Sequence, residues 1–374
     1  MRVDSIELRL AWNSFSIPTL KAILNRRFVG IAPVGTSKSS KEAIDIPPSK
    51  ALRRFEKVKH ILLGNFTLRT FDERLKELLP ILGASATTAL SLAFFNATFS
   101  IKKVKYVPSI LGNLLGGGKH SPSVSRQRIQ EILIVPKSRS VKKCIELSSL
   151  AWHRAKEELE KLGVLLGLNL EFAWVHKLAD YEALKFASKL CEEYDLALGV
   201  DIAATHFYRD GKYRIAGKLL GRRSYLKLLS EWIEEFDLRY IEDPFEENDV
   251  DSFIELRSLF SNRVICGDDL VASDKERFIE LERVGSINAV IVKPNQVGLV
   301  SPCIDLIETA KRKGCYTVVS HRSQETEDLG IAKLALLSPL AKFSIGGIDV
   351  MKRNFIVSIA EELKLRVSLP KTFL

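Results

Sequence analysis

Five residues that could do chemistry each follow a short apolar run in the second half of the chain. Three are acids, Asp201, Glu242 and Asp268, and the next two are Lys293 and His321. The intervals between them are 41, 26, 25 and 28 residues, close to one strand-helix unit each. This spacing predicts that the five side chains occupy equivalent places along a repeated fold.

The three acids are predicted to form a metal site. Carboxylates at neighbouring strand ends repel one another unless a cation neutralises them. Hard oxygen ligands favour Mg²⁺, which keeps positions open for water and substrate. Each acid alone would more often be an ordinary strand-end residue, but three in succession favour the metal site.

The residues after the acids suit an anionic substrate. Beside a metal ion, the pKa of Lys293 is expected to fall enough for this lysine to act as a base, although it could instead merely balance the acids. His321, Arg322 and Ser323 offer a titratable ring, a permanent cation and a hydroxyl, which suit a phosphorylated or carboxylated ligand.

The elements that must position these residues form two units. From about residue 104, short apolar strands alternate with amphipathic helices, such as 224–236, which predicts an α/β fold with a closed parallel barrel. The C-terminal ends of barrel strands meet at one mouth, where the chemistry is expected. The pattern of residues 1–103 predicts an α+β cap domain, and the pattern of residues 104–374 predicts the barrel. The predicted elements of the cap are strands at 5–12 and 19–31 and helices at 50–62, 71–79 and 84–99.

Composition narrows the possible function classes. The formal charge is +10, but the basic residues are spread without an aromatic stacking motif, so a nucleic-acid partner is not favoured. The uncharged stretch 78–101 is long enough to cross a bilayer, yet its Pro, Ser, Thr and Asn content predicts a packed helix and no membrane contact. Five scattered cysteines without a CxxC pair, and no secretion signal, indicate the cytoplasm.

Four motifs in the barrel half resemble consecutive motifs of the enolase family, in the same order. The motifs are Ile241-Glu-Asp-Pro-Phe245, Gly267-Asp-Asp-Leu270, Val292-Lys-Pro-Asn-Gln-Val-Gly298 and Val319-Ser-His-Arg-Ser-Gln-Glu-Thr-Glu-Asp328. The resemblance covers most of the chain and implies an enolase-type (β/α)8 barrel with an N-terminal α+β cap domain. It also implies reversible dehydration of 2-phosphoglycerate to phosphoenolpyruvate, the glycolytic reaction of a Mg²⁺-dependent lyase.

The resemblance assigns roles by position. The three acids match the ligands of the first Mg²⁺. Lys293 matches the base that removes the C2 proton, and Lys342 matches the second catalytic lysine. Glu171 falls near the acid that helps the C3 hydroxyl to leave, and Glu131 is similar to a second acid that supports this step.

Further positions match the family's substrate contacts. His120 corresponds to the histidine of the mobile loop, and His321 to the histidine after its strand. Arg322 and Ser323 match the phosphate-binding pair. Ser37 aligns with the loop serine that closes over the substrate and binds the second Mg²⁺.

Departures from the family pattern keep alternatives open. Around Glu171 the family has an acidic, glycine-rich turn, which this chain lacks, and the segment after Ser37 also differs. A homodimer or higher homo-oligomer stays open because Phe15 replaces an arginine of the family's subunit contact. The alternatives are a superfamily lyase or isomerase with another carboxylate substrate, and a non-catalytic relative that binds RNA or a protein.

Overall fold

The computed structural model describes residues 1–36, 39–122 and 124–374. Three antiparallel strands open the cap: β1 (Ile6–Trp12), β2 (Pro18–Leu24) and β3 (Phe28–Ile31). The predicted single strand over 19–31 is wrong. Asn25 and Arg26 adopt left-handed φ angles of 50° and 56° and turn the chain between β2 and β3.

Three helices cover this sheet: α1 (Pro48–Val58), α2 (Leu68–Leu82) and α3 (Ala84–Thr98). Gly83, with a φ of 81°, separates α2 from α3 and divides the uncharged stretch between two helices. Helix α3 is buried on all sides over residues 84–95, so its small side chains permit close packing. Among the described residues, no helix is long and apolar enough to cross a membrane.

Eight strands close into a barrel, which confirms the predicted fold class. They are β4 (Val107–Gly116), β5 (Glu131–Pro136), β6 (Leu196–Asp201), β7 (Leu238–Glu242), β8 (Val264–Gly267), β9 (Ala289–Val292), β10 (Tyr316–Ser320) and β11 (Leu340–Ser344). Strand β5 pairs antiparallel with both neighbours, whereas the other pairs are parallel. Pairing of β11 with β4, with Leu340 opposite Ser109, closes the ring.

Helices surround the barrel, and short strands either pair with its edges or form small separate sheets. The helices are α4 (Val141–Lys161), α5 (Asp180–Glu193), α6 (Arg222–Glu235), α7 (Val250–Leu259), α8 (Lys275–Arg283), α9 (Pro294–Val297), α10 (Ser301–Arg312), α11 (Gly330–Ala335) and α12 (Val350–Leu363). The short strands are Arg2–Val3, Gly64–Asn65, Leu165–Leu168, Trp174–His176, Tyr208–Arg209, Lys212–Ile215, Lys218–Gly221 and Val367–Ser368.

Separate apolar cores stabilise the two parts of the chain. One cluster joins the cap sheet to α1–α3, for example Leu20 to Phe94. A second packs the barrel strands against the outer helices, and a third fills the lower interior of the barrel. We propose the boundary between cap and barrel at residues 103 and 104, since the first barrel strand begins three residues later.

Candidate active site

The three predicted metal ligands lie at neighbouring strand ends of the barrel mouth. Asp201 ends β6 opposite Glu242, which ends β7, and Asp268 follows the last residue of β8. All three are buried, with exposed fractions of 3%, 0% and 8%. The parallel register therefore brings together three acids, the first and last of which are 67 residues apart in the sequence.

Lys342 lies among the acids. Its Nζ is 3.0 Å from Asp201 Oδ2, 2.8 Å from Glu242 Oε1 and 3.0 Å from Glu131 Oε2. Although burial opposes the charged form, these carboxylates raise the pKa of Lys342 well above its ordinary value. The lysine is thus an ammonium ion held between the strand ends.

Lys293 makes an ion pair with Asp268. Burial lowers the pKa of Lys293, but the Asp268 carboxylate outweighs burial and raises it. Gln296 also donates from Nε2 to Asp268 Oδ1, at 2.9 Å. The pair with Asp268 holds the proton on Lys293, so this lysine could accept a proton only if another cation neutralised Asp268.

Two further acids at these strand ends, Asp243 and Asp269, were not singled out from the sequence. Asp243 accepts the backbone N–H groups of Asp268 and Asp269 at 2.9 and 2.7 Å. The tandem acids Glu242-Asp243 and Asp268-Asp269 were the available signal. Asp243 shapes the turn after β8 through these backbone contacts.

Two groups of described residues have ligand atoms within 4.8 Å of one another, as a metal site requires. They are Asp243, Asp268 and Asp269, and His120, Glu131 and Glu171. The predicted set of Asp201, Glu242 and Asp268 shares only Asp268 with the first group. Asp201 and Glu242 are instead paired with Lys342 Nζ, at 3.0 and 2.8 Å.

The charge of the cavity fits a hard divalent cation. Among the described residues, seven carboxylic acids but only three Lys or Arg side chains line it. Burial and the Asp201 charge raise the pKa of Glu242 to about 8, and burial and the Asp268 charge raise that of Asp269 to about 7. Because the lysines leave these acids incompletely neutralised, carboxylate oxygens are available for a cation of the Mg²⁺ type.

Glu171 lies in the mouth despite the altered turn around it. Asn169 Oδ1 accepts the backbone N–H groups of Glu171 and Ala173, both at 2.9 Å, and so forms the turn. Asn113 Nδ2 donates to Glu171 Oε2 at 2.8 Å. His120 Nδ1 is 3.5 Å from the same oxygen.

Glu131 and Glu171 form a coupled pair of buried acids. Burial and the Glu171 carboxylate raise the pKa of Glu131 well above its ordinary value. Burial acts in the same direction on Glu171, but the His120 ring and the Glu131 contact outweigh it and lower the pKa of Glu171. One proton held by the pair makes it a candidate general acid.

His321 is held from behind by an acid that the sequence reasoning missed. Its Nδ1 bonds to Asp349, and its Nε2 lies 3.8 Å from Glu171 Oε2. Asp349 also accepts the backbone N–H of Ser344 at 2.9 Å and pairs with Lys352 at 3.0 Å. The arrangement fixes the ring with Nε2 facing the cavity.

Arg322 and Ser323 join the mouth to the loop of the cap domain. Arg322 Nη1 is 3.1 Å from Glu42 Oε1, a contact not anticipated from the sequence. Ser323 Oγ accepts the backbone N–H of Thr36 at 3.0 Å. Ser37, the predicted loop serine, lies outside the described residues.

Comparisons with known proteins identify related chains. Residues 103–366 match the family model described as the enolase C-terminal TIM barrel domain. The enolase of Archaeoglobus fulgidus is 30% identical, covering 96% of this chain and 98% of that protein. The enolases of Methanothermobacter thermautotrophicus and Halorubrum lacusprofundi are 31% and 28% identical over 96% of this chain and 97% and 99% of their own lengths.

Proposed function

The chain belongs to the enolase family, and from that premise we propose that it is a lyase that interconverts 2-phosphoglycerate and phosphoenolpyruvate with Mg²⁺. One observation carries the proposal most directly. Lys293 follows β9 and Glu131 begins β5, four strands apart in a ring of eight. The proposed base and the proposed acid pair therefore lie on opposite sides of the mouth, an arrangement that suits removal of a proton and a hydroxyl from opposite faces of adjacent carbons.

Asp201, Glu242 and Asp268 would hold the Mg²⁺. When bound, the metal supplies positive charge to the substrate carboxylate and so makes the neighbouring C2 proton more acidic. The Lys342 ammonium adds a second fixed positive charge on the same side. These charges oppose the negative charge that develops as the proton leaves.

Groups of this chain then transfer protons at both reacting carbons of the substrate, C2 and C3. Lys293 Nζ, freed from Asp268, accepts the C2 proton, and the electron pair of the broken C–H bond is first delocalised into the substrate carboxylate. In a second step this electron pair forms the C2–C3 double bond. The C3–O bond breaks as the Glu131–Glu171 pair donates its proton, so the hydroxyl leaves as water. His120 and His321 flank Glu171 and hold it as the member of the pair that faces the substrate.

Arg322 and Ser323 are the proposed phosphate contacts. A guanidinium fork suits a phosphate bidentately, and the Ser323 hydroxyl adds a donor. Ser37 is proposed to complete this contact from the cap loop. The small phosphorylated substrate, the absence of a membrane-spanning helix in the described part, and five free cysteines support an assignment to the cytoplasm.

The Glu42–Arg322 pair favours one second candidate. Glu42 is buried with Arg322, and its carboxylate already engages the proposed phosphate-binding guanidinium. If the pair persists with substrate bound, the site would accept a carboxylate without a phosphate. The second candidate is therefore a superfamily lyase or isomerase that abstracts a proton beside another carboxylate.

The direct test is the appearance of phosphoenolpyruvate absorbance from 2-phosphoglycerate, with Mg²⁺ and with EDTA. We expect turnover that requires the metal and is lost in Arg322→Met. Turnover of a non-phosphorylated 2-hydroxy acid, with none on 2-phosphoglycerate, would support the second candidate and contradict the first.

A further inference from the structure

Arg353 is a buried cation outside the barrel mouth. It lies in the first turn of α12, and only 6% of it is exposed. Its Nη1 donates to the backbone oxygen of Ile345, whereas its Nε has no hydrogen-bond partner. Burial lowers the pKa of Arg353 to about 10, which still leaves the guanidinium charged at neutral pH.

Asp349, the acid nearest in the sequence, favours the charged form of Arg353 but does not outweigh burial. Asp349 is already engaged by His321 and Lys352, and within the described residues no carboxylate lies within ion-pair distance of Arg353. The first turn of a helix also carries partial positive charge, which adds to that of the guanidinium. A buried charge is strongly unfavourable without a counter-charge, so the surroundings of Arg353 call for an anion.

A cavity of about 20 Å³ lies beside Arg353, between α4 and α12. This volume admits about one water-sized group, such as one end of a carboxylate. Apart from Arg353, Ser148 and Cys144, the lining is apolar. Val141 and Val357 also line an open groove of about 410 Å³, so the cavity adjoins a surface that is open to solvent.

We propose that this cavity and the open groove beside it together bind a short-chain aliphatic carboxylate, with one end of the carboxylate in the cavity on Arg353 and the alkyl chain against Val141 and Val357, which line both. The guanidinium supplies the charge that selects an anion, and the apolar lining selects an alkyl chain over a strongly hydrated ion. The site lies among the outer helices and is separate from the proposed enolase site inside the barrel. Its test therefore does not depend on turnover.

The experiment measures the thermal unfolding midpoint of the full chain at constant ionic strength, as sodium butyrate replaces sodium gluconate. Ligand that binds only the folded state raises the midpoint, here by about 2 °C at saturation. Arg353→Met is expected to lose this rise while remaining folded, because an apolar side chain replaces an unpaired buried charge. Arg366→Met, which changes an arginine of the open groove, is the matched control and should retain most of the rise.

Two further ligands sharpen the assignment. Butyramide has the same shape without the charge, and calorimetric titration of the wild-type protein should show binding of butyrate but not of butyramide. An equal response to chloride would overturn the carboxylate assignment in favour of an inorganic-anion site. A non-saturating rise, or the same rise in Arg353→Met, would overturn the site itself.

Discussion

The floor and the mouth of the barrel are made from the same strands but differ in chemistry. At the floor, Leu111, Val264 and Leu340 are fully buried, and Phe373 near the chain end packs with them. At the mouth, the same strands and their neighbours lead into acids and lysines, most of which are also buried. The floor supplies apolar contact, whereas the mouth concentrates charges that are unfavourable in a buried place.

The difference teaches how a barrel can hold such charges. Burying acids raises the pKa of Glu242 and Asp269, so the mouth does not contribute to stability as an apolar layer would. The strand register fixes these residues, and the apolar layers below keep the register. Substitutions at the mouth should therefore change turnover, and substitutions at the floor should change stability.

The largest expected effect is loss of turnover in Lys293→Ala. Removal of the proposed base should lower kcat on 2-phosphoglycerate by about 10⁴-fold, at the upper end of general base contributions. Steady-state formation of phosphoenolpyruvate at saturating Mg²⁺ measures the change. Lys311→Ala, which alters an exposed lysine of α10, is the control and should keep wild-type kcat; a loss below tenfold in Lys293→Ala would contradict the assigned role.

At the floor, Phe373→Ala should cost stability without changing the chemistry. Phe373 is 0% exposed and fills the lower interior, so its removal leaves a cavity. We expect the free energy of unfolding to fall by about 4 kcal/mol. Urea denaturation measures this, while kcat of the folded protein should stay within a factor of two; a large fall in kcat with unchanged stability would reverse the comparison.

A buried acid of the cap domain, away from the mouth, tests whether burial alone makes an ionised carboxylate unfavourable. Asp72 is 1% exposed and accepts the backbone N–H of Ser301 at 2.7 Å. Burial raises its pKa from 3.8 to about 6. Because the folded pKa is raised, stability from the protonated form is fully present below pH 3.8 and is lost as the pH rises to about 6.

Asp72→Asn should therefore be more stable than the wild type at pH 7.5 by up to about 3 kcal/mol, since the amide needs no proton. The difference in the free energy of unfolding between Asp72→Asn and the wild type should be smaller at pH 5 than at pH 7.5. Urea denaturation of both proteins at the two pH values measures it, and other acids cancel in the comparison. A gap that does not change with pH would show that ionisation of Asp72 is not the cause.

The smallest expected effect concerns the support behind His321. Asp349→Asn keeps the shape but removes the charge facing the ring, so kcat should fall about tenfold with little change in KM. Glu361→Gln, at an exposed acid of α12, the helix that follows Asp349, should leave both constants unchanged. A raised KM with normal kcat would indicate a binding role for this histidine instead.

The sequence predicted the barrel because each strand is a short apolar run and the chemical residue follows it directly. The strand ends of β6 to β10 agree with the structure within a residue or two. By contrast, Glu42 reaches Arg322 across 280 residues, and Asp349 reaches His321 from a turn without strand pattern. Partners set by tertiary packing leave no periodic signal in a single sequence.

The turn at Asn25 and the position of Lys342 illustrate the same limit. A hydrophobic run cannot show where two residues take left-handed angles, so β2 and β3 were predicted as one strand. Lys342 was matched to a role, but its contacts with three acids depend on strands 100 or more residues away. Local pattern predicts elements, whereas contacts between elements need the fold.

The central claim is that Lys293 takes the C2 proton and the Glu131–Glu171 pair separately assists loss of the hydroxyl. Proton NMR in D₂O can follow exchange of the C2 proton of 2-phosphoglycerate beside formation of phosphoenolpyruvate. We predict that Lys293→Ala loses both, whereas Glu171→Gln keeps exchange while product formation falls by about 10²-fold or more. Exchange that persists in Lys293→Ala, or that is lost together with product formation in Glu171→Gln, would contradict this account.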